Sequence, residues 1–153
     1  MADVRWQMLV KTVAESGGRR AIPEESAAAK ALIRNHRDLI VWQKAMDLVV
    51  NVYRATEEFP RTETYGLTSQ IRRAVTSIPA NIAEGQGRRL PKEFVHFLAN
   101  ARGSLLELDT HLEAASRLSF LDSAVHSQLR IQLDEIGRML NGLMRSVTGS
   151  TNI

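Results

Sequence analysis

The sequence predicts an all-α protein, an antiparallel up-and-down four-helix bundle, and three observations predict it. Apolar residues recur at steps of three and four along four long stretches. No stretch alternates apolar with polar residues as a half-buried strand would. The breaks, at Phe59-Pro60, between Gly85 and Pro91, and near Asp122, are short corners, which set successive helices antiparallel. A chain of 153 residues buries about two thirds of its unfolded surface and needs no staple to fold.

Residues 1–35 read as an N-terminal extension. Trp6, Leu9, Val10 and Val13 form a short apolar stripe that Ser16-Gly17-Gly18-Arg19-Arg20 interrupts, and Ile22-Pro23-Glu24-Glu25 opens an alanine-rich stretch to Ile33. Both a helical arm and a disordered leader fit this pattern. The bundle domain spans 36–148. Asp38 is the expected N-cap of its first helix, with Trp42, Met46, Val49, Tyr53 and Thr56 as the buried stripe. Leu67, Ile71, Ala74, Val75, Ile78 and Ile82 define a second helix over 64–84. Pro79 removes a backbone donor and crowds the carbonyl four residues earlier, which predicts a kink or tight turn between Ser77 and Asn81. Gly85 and Gly87 are expected to stop that helix.

Pro91 suits the first position of the third helix, and Glu93 stands where the acidic half of a capping box belongs, although Leu90 holds the place of the hydroxyl. Phe94, Phe97, Leu98, Ala101, Leu105, Leu108, Leu112 and Ala115 line its core face to about Leu118. The other face carries a second stripe, Val95, Ala99, Gly103 and Leu106, where charge is expected. A helix apolar on two sides is generally buried on both, so this stripe reads as a subunit interface; scattered surface apolar residues are the plain alternative. The last helix follows Asp122, with Val125, Leu129, Leu133, Ile136, Leu140, Leu143 and Val147 inward. Residues 149–153 are expected to form a flexible tail.

Composition narrows the chemistry. The absence of cysteine removes thiol catalysis and thiolate metal sites and fits a reducing compartment. No apolar run is long enough to span a membrane and no signal-peptide core is visible, so a cytoplasmic protein without membrane contact is expected. Glu93 and His96 have the Glu-x-x-His spacing of di-iron bundles, but a second copy is lacking and His96 lies off the core stripe. Glu107 and His111 are two potential ligands, which do not make a metal site. No P-loop and no Gly-x-Ser-x-Gly turn occurs. These readings point away from an enzyme and from a bound cofactor.

Charge is more informative. Of the 20 basic residues 16 are arginine, whose planar fork matches phosphate and carboxylate. From Arg61 to Arg102 there are seven basic residues against three acids. Arg88 and Arg89 precede a helix N-terminus, where free N–H groups favour an anion. Arg72, Arg73, Arg88, Arg89, Lys92 and Arg102 are therefore candidates for a nucleic-acid surface. The alternative is that they pair with carboxylates such as Glu84, Glu93 and Glu107 within or between subunits. A net charge of only +3 and the lack of interleaved aromatics keep both open.

The stretches Asp38 to Ala45, Phe59-Pro60, Tyr65 to Ala74, Ser77 to Gly85 and Ala101 to Leu112 resemble, in order and spacing, the four-helix-bundle proteins encoded by intervening sequences of bacterial large-subunit ribosomal RNA. The resemblance covers about residues 36 to 147. It implies a left-handed antiparallel bundle, a homopentameric ring and a bacterial cytosolic setting, without an established activity. A more distant similarity is to the accessory proteins of diversity-generating retroelements, basic pentamers that work with a reverse transcriptase and nucleic acid. Within the matched motifs Pro79, Asn81, Glu84 and Gly85 take structural roles: Asn81 binds backbone groups freed at Pro79, and Glu84 braces Arg88 or the next helix start. Together these expectations describe a non-enzymatic accessory or scaffold that self-associates and contacts RNA or another nucleic acid, with a pure protein-interaction module as the competing reading.

Overall fold

The computed structural model describes residues 35–149. The expected arm or leader, apart from Asn35, and the tail beyond Gly149 lie outside the described residues. Four helices make the bundle: α1 (Ile40–Ala55), α2 (Leu67–Arg88), α3 (Pro91–Arg117) and α4 (Ser123–Gly149). They form a closed square in chain order. The largest contact is between α2 and α3, followed by α3–α4, α1–α2 and α1–α4, while the diagonal pairs share nothing comparable. Among the described residues no strand is present and no helix is long and apolar enough to cross a membrane.

The entry to α1 differs from expectation. A 3-10 turn, His36–Asp38, precedes it and consumes the polar groups: the Arg37 N–H donates to Asn35 Oδ1 at 2.8 Å, and the Asn35 N–H to Asp38 Oδ2 at 3.1 Å. Asp38 therefore caps the turn, and Leu39 stands at the N-cap of α1 without a side-chain bond. Leu39 is buried, so core packing outweighs cap chemistry here. The buried stripe is also one position away from the predicted one. Val41, Ala45, Leu48 and Val52 enter the core with Thr56, while Trp42 and Val49 are partly buried and Met46 and Tyr53 are exposed. Both stripes have helical spacing. The seam facing the other helices takes the small and medium residues, and the larger amphipathic rings fall to its flank.

In α2, Ile71, Ala74, Val75, Ile78 and Ile82 are buried as predicted. The helix does not turn at Pro79 and does not stop at Gly85; it runs unbroken to Arg88. Proline leaves the Val75 carbonyl without its usual helical donor. Asn81 does not reach that carbonyl: its Nδ2 donates to the Ser77 carbonyl at 2.8 Å and to Ser77 Oγ at 3.0 Å. The Ser77 hydroxyl lies 2.9 Å from that of Ser104 on α3. Asn81 thus ties the turn at Pro79 to the neighbouring helix. Gly85 is buried because α3 crosses it: a Cβ there would lie 2.6 Å from Phe97 Cβ and 2.9 Å from Phe94 Cδ2. Its role is close approach.

Pro91 occupies the first turn of α3, and its predicted core face is buried except for the partly exposed Phe97. On α4 the Ala124 N–H donates to Asp122 Oδ1 at 2.7 Å, so this aspartate serves the helix start as expected. Val125, predicted inward, is exposed, and His126 takes the core position at 8% exposure. Its Nε2 is 3.7 Å from Glu113 Oε2 on α3 and has no hydrogen-bond partner among the described residues. A histidine is easily passed over in an apolar pattern, whereas a valine beside it is not.

Glu113 also accepts from Arg117 Nε at 2.8 Å, and that bond, with the charges of Arg117, His126 and Arg130, holds its carboxyl below the ordinary value of 4.5. A folded-state pKa below the unfolded one gives stability that is present at neutral pH and is lost as pH falls through the folded value. Melting temperatures of the wild type and Glu113→Gln should therefore differ slightly at pH 7 and converge towards pH 3. The gap stays small because the pair is exposed. A gap that widens on acidification contradicts the assignment.

Candidate nucleic-acid and assembly surfaces

The connection between α2 and α3 is only Arg89 and Leu90. Reversing the chain so tightly requires a left-handed residue after the helix, a position usually filled by glycine. Here Arg89 takes it, with φ 58 and ψ 14, and its N–H donates to the Gln86 carbonyl at 3.3 Å. The Leu90 N-cap offers no side-chain acceptor, so no side-chain cap closes the first turn of α3 at Lys92 and Glu93. Arg89 and Lys92 are exposed and have no ion-pair partner among the described residues. Arg88 is engaged: its Nη2 donates to Glu84 Oε1 at 2.8 Å, which raises its pKa further, and its guanidinium sits 5.6 Å from the centroid of Phe97.

The six predicted basic residues do not share one surface. Arg72 precedes Arg88 by sixteen positions on one continuous helix, about 24 Å. Arg72 and Arg73 instead face the other end of the bundle, where the corner Phe59 to Tyr65 folds against the last turn of α1. Arg72 is partly buried, donates through Nε to Thr56 Oγ1 at 3.0 Å, and lies 4.6 Å over the Tyr53 ring. An open recess of about 540 Å³ is found there, lined among others by Tyr53, Arg61, Tyr65, Thr68, Arg72 and Arg73. Arg61, Tyr65 and Thr68 are not among the candidate site residues of the sequence expectations, although Arg61 counts in the basic excess and Tyr65 and Thr68 lie in a stretch that carries the family resemblance. Arg102 belongs to a third place, a shallow α3–α4 groove with Leu106, Asp134 and Arg138.

The second stripe of α3 lies on the outside. Ala99, Gly103 and Leu106 are exposed, Leu106 by 56%, and a Cβ on Gly103 would meet nothing within 4 Å. Val95 is partly buried against the core and belongs to the stripe only in part. Among the described residues no group of three or more metal-ligating side chains forms; Glu107 Oε1 lies 3.5 Å from His111 Nε2 along the helix.

Residues 37–142 match the model of a family described as 23S rRNA-intervening sequence protein. No curated protein matches the chain. Among solved structures, the chain is similar to a protein of unknown function from the S23 ribosomal protein family of Bacteroides thetaiotaomicron. The two are 21% identical with a TM-score of 0.65, over 69% of this chain and 99% of that one. Likeness at that identity shows a common fold.

Proposed function

The chain belongs to the 23S rRNA-intervening sequence protein family, and from that premise we propose a non-enzymatic, self-associating accessory protein that contacts RNA or another nucleic acid through the α2–α3 corner. Arg89 carries this reading. A left-handed backbone costs a side-chain-bearing residue roughly 1–2 kcal/mol relative to glycine. Residues held in such conformations cluster at functional sites. An exposed, unpaired arginine kept there, beside Lys92 and a helix N-terminus without a side-chain cap, is positioned for a phosphate. Self-association, as the homopentamer that the family resemblance implies, uses the Ala99, Gly103, Leu106 face and repeats the corner on every copy, so that weak contacts add. The competing protein-interaction reading draws support from Arg88 and Arg72, which are engaged within the chain.

Arg89→Gly separates the two. It should raise stability by about 1 kcal/mol, as strain is released. On single-stranded RNA it should weaken binding and flatten the log–log salt dependence by about 0.7. Unchanged RNA binding in a stabilised variant would remove the corner from function. Light scattering on the same preparations tests assembly. A Cβ at Gly103 meets no atom in a single chain, so Gly103→Leu should leave the fold intact while reducing the particle to a monomer. A wild type that is already monomeric refutes self-association.

A further inference from the structure

The recess at the opposite end of the bundle has features that the corner does not share. Three of its lining side chains, Arg61, Arg72 and Arg73, are guanidinium groups with no carboxylate in ion-pair reach among the described residues, and Glu57 is the one acid in the lining. Three arginines elsewhere are ion-paired, Arg88 with Glu84, Arg117 with Glu113 and Arg130 with Asp109. Arg72 is already oriented, since its Nε bond to Thr56 and its stacking on Tyr53 fix the plane of the fork and leave its terminal nitrogens unengaged. Thr68 lines the same recess, is 92% buried by its 8% exposure, and its hydroxyl has no hydrogen-bond partner among the described residues. A buried hydroxyl left unmatched is costly, and such groups are normally satisfied by something. Beside it Tyr65 is 96% exposed, a ring with neither face covered.

From this we infer that the recess is a binding site for a nucleotide unit, its phosphate held by Arg61, Arg72 and Arg73 and its base stacked on Tyr65. Phosphate suits unpaired arginine forks, which bind it through paired charge-assisted hydrogen bonds. A bare anion, however, uses neither the volume nor the aromatic ring. A recess of about 540 Å³ falls within the range of small-molecule sites. Base stacking on an aromatic side chain is tolerant of base identity, so the site selects the phosphate-plus-ring combination rather than one base. This site does not rest on the α2–α3 corner, from which it is separated by most of the length of α2. The unit could be a free nucleotide or one residue of a single strand, which share this chemistry.

Calorimetric titration of the full chain with adenosine 5′-monophosphate, adenosine, inorganic phosphate and an oligoadenylate tests it. The monophosphate should bind about tenfold more tightly than either adenosine or phosphate, each of which lacks one of the two contacts. Arg61→Gln and Arg73→Gln should each weaken the monophosphate about tenfold, and Tyr65→Ala by a similar factor. These side chains are exposed, so melting temperatures should remain those of the wild type. The gain of the monophosphate over inorganic phosphate, which depends on Tyr65, should persist in Arg89→Gly, which separates failure here from failure at the corner. Competition by the oligoadenylate identifies a strand as the source; monophosphate binding without it identifies a free nucleotide. Equal affinity for phosphate and monophosphate, no binding of either, or binding insensitive to Arg61→Gln and Arg73→Gln overturns the inference.

Discussion

Gly85→Ala lowers the stability of this protein, while the same change at Gly87, two residues further along α2, raises it. In a helix interior alanine is ordinarily better than glycine by about 1 kcal/mol, because the glycine backbone loses more freedom on folding. At Gly87 nothing lies within 4 Å of the added carbon, so a gain should appear, smaller than the interior value because Gly87 is in the last turn of α2. At Gly85 the added carbon meets Phe97 Cβ at 2.6 Å and Phe94 Cδ2 at 2.9 Å. The Phe94 ring can rotate away, but a Cβ moves only with its helix, so α2 and α3, the pair with the most extensive contact, must separate. Overpacking of this kind costs about 1–3 kcal/mol, which exceeds the propensity gain. Paired thermal melts followed by circular dichroism read the two signs directly. A stabilised Gly85→Ala would mean that the helices do not approach here as described.

Phe94→Ala produces a larger loss, about 3–5 kcal/mol, as expected when a fully buried aromatic ring is truncated and its space is not refilled. Against a total stability of about 5–15 kcal/mol for a domain, that change brings the fold near its limit. Urea titration should show a much lower midpoint with an unchanged slope. The two sites should also be coupled, because Phe94 supplies one of the atoms that alanine at Gly85 would strike. In a Phe94→Leu background the penalty of Gly85→Ala should shrink, whereas independent sites would add. Full additivity would show that Phe97 alone sets the limit at Gly85.

Much of the fold was legible because its determinants are local. The inner faces of α2 and α3 carry large aliphatic residues at unbroken helical spacing, and Pro91 and Asp122 mark two helix starts by backbone chemistry alone. The errors lie where a local rule met a neighbour. On α1 two stripes satisfy the same period, and only the narrow space beside Ala45 decides between them. Gly85 has the residue type of a stop signal, yet its reason is a partner helix that no local pattern reveals. The site was harder to read. Arg72, Arg73, Arg88 and Arg89 are close in sequence, but a helix is a rod, and sixteen positions along it carry a side chain to the other end. The recess around Thr68 exists only because the corner holding Arg61 and Tyr65 folds back beside Tyr53. Arg89 was legible as a charge but not as a strained backbone, since the need for a left-handed residue follows from the length of the connection.

That two-residue connection also bears on how the chain reaches its structure. Closing a short loop costs little chain entropy, and the pair it joins, α2 and α3, shares the largest contact in the bundle. Their hairpin can therefore assemble early from contacts near in sequence, the condition under which helical domains fold fast. α1 and α4 meet each other from opposite ends of the domain, through Lys44 with Glu135 and Asn51 with Gln132, and close the square last. Changes at Gly85 or Phe94 should then appear mainly as slower folding, and changes at the α1–α4 seam mainly as faster unfolding. The left-handed Arg89 then also lies on the folding route, in the turn of the hairpin expected to form first.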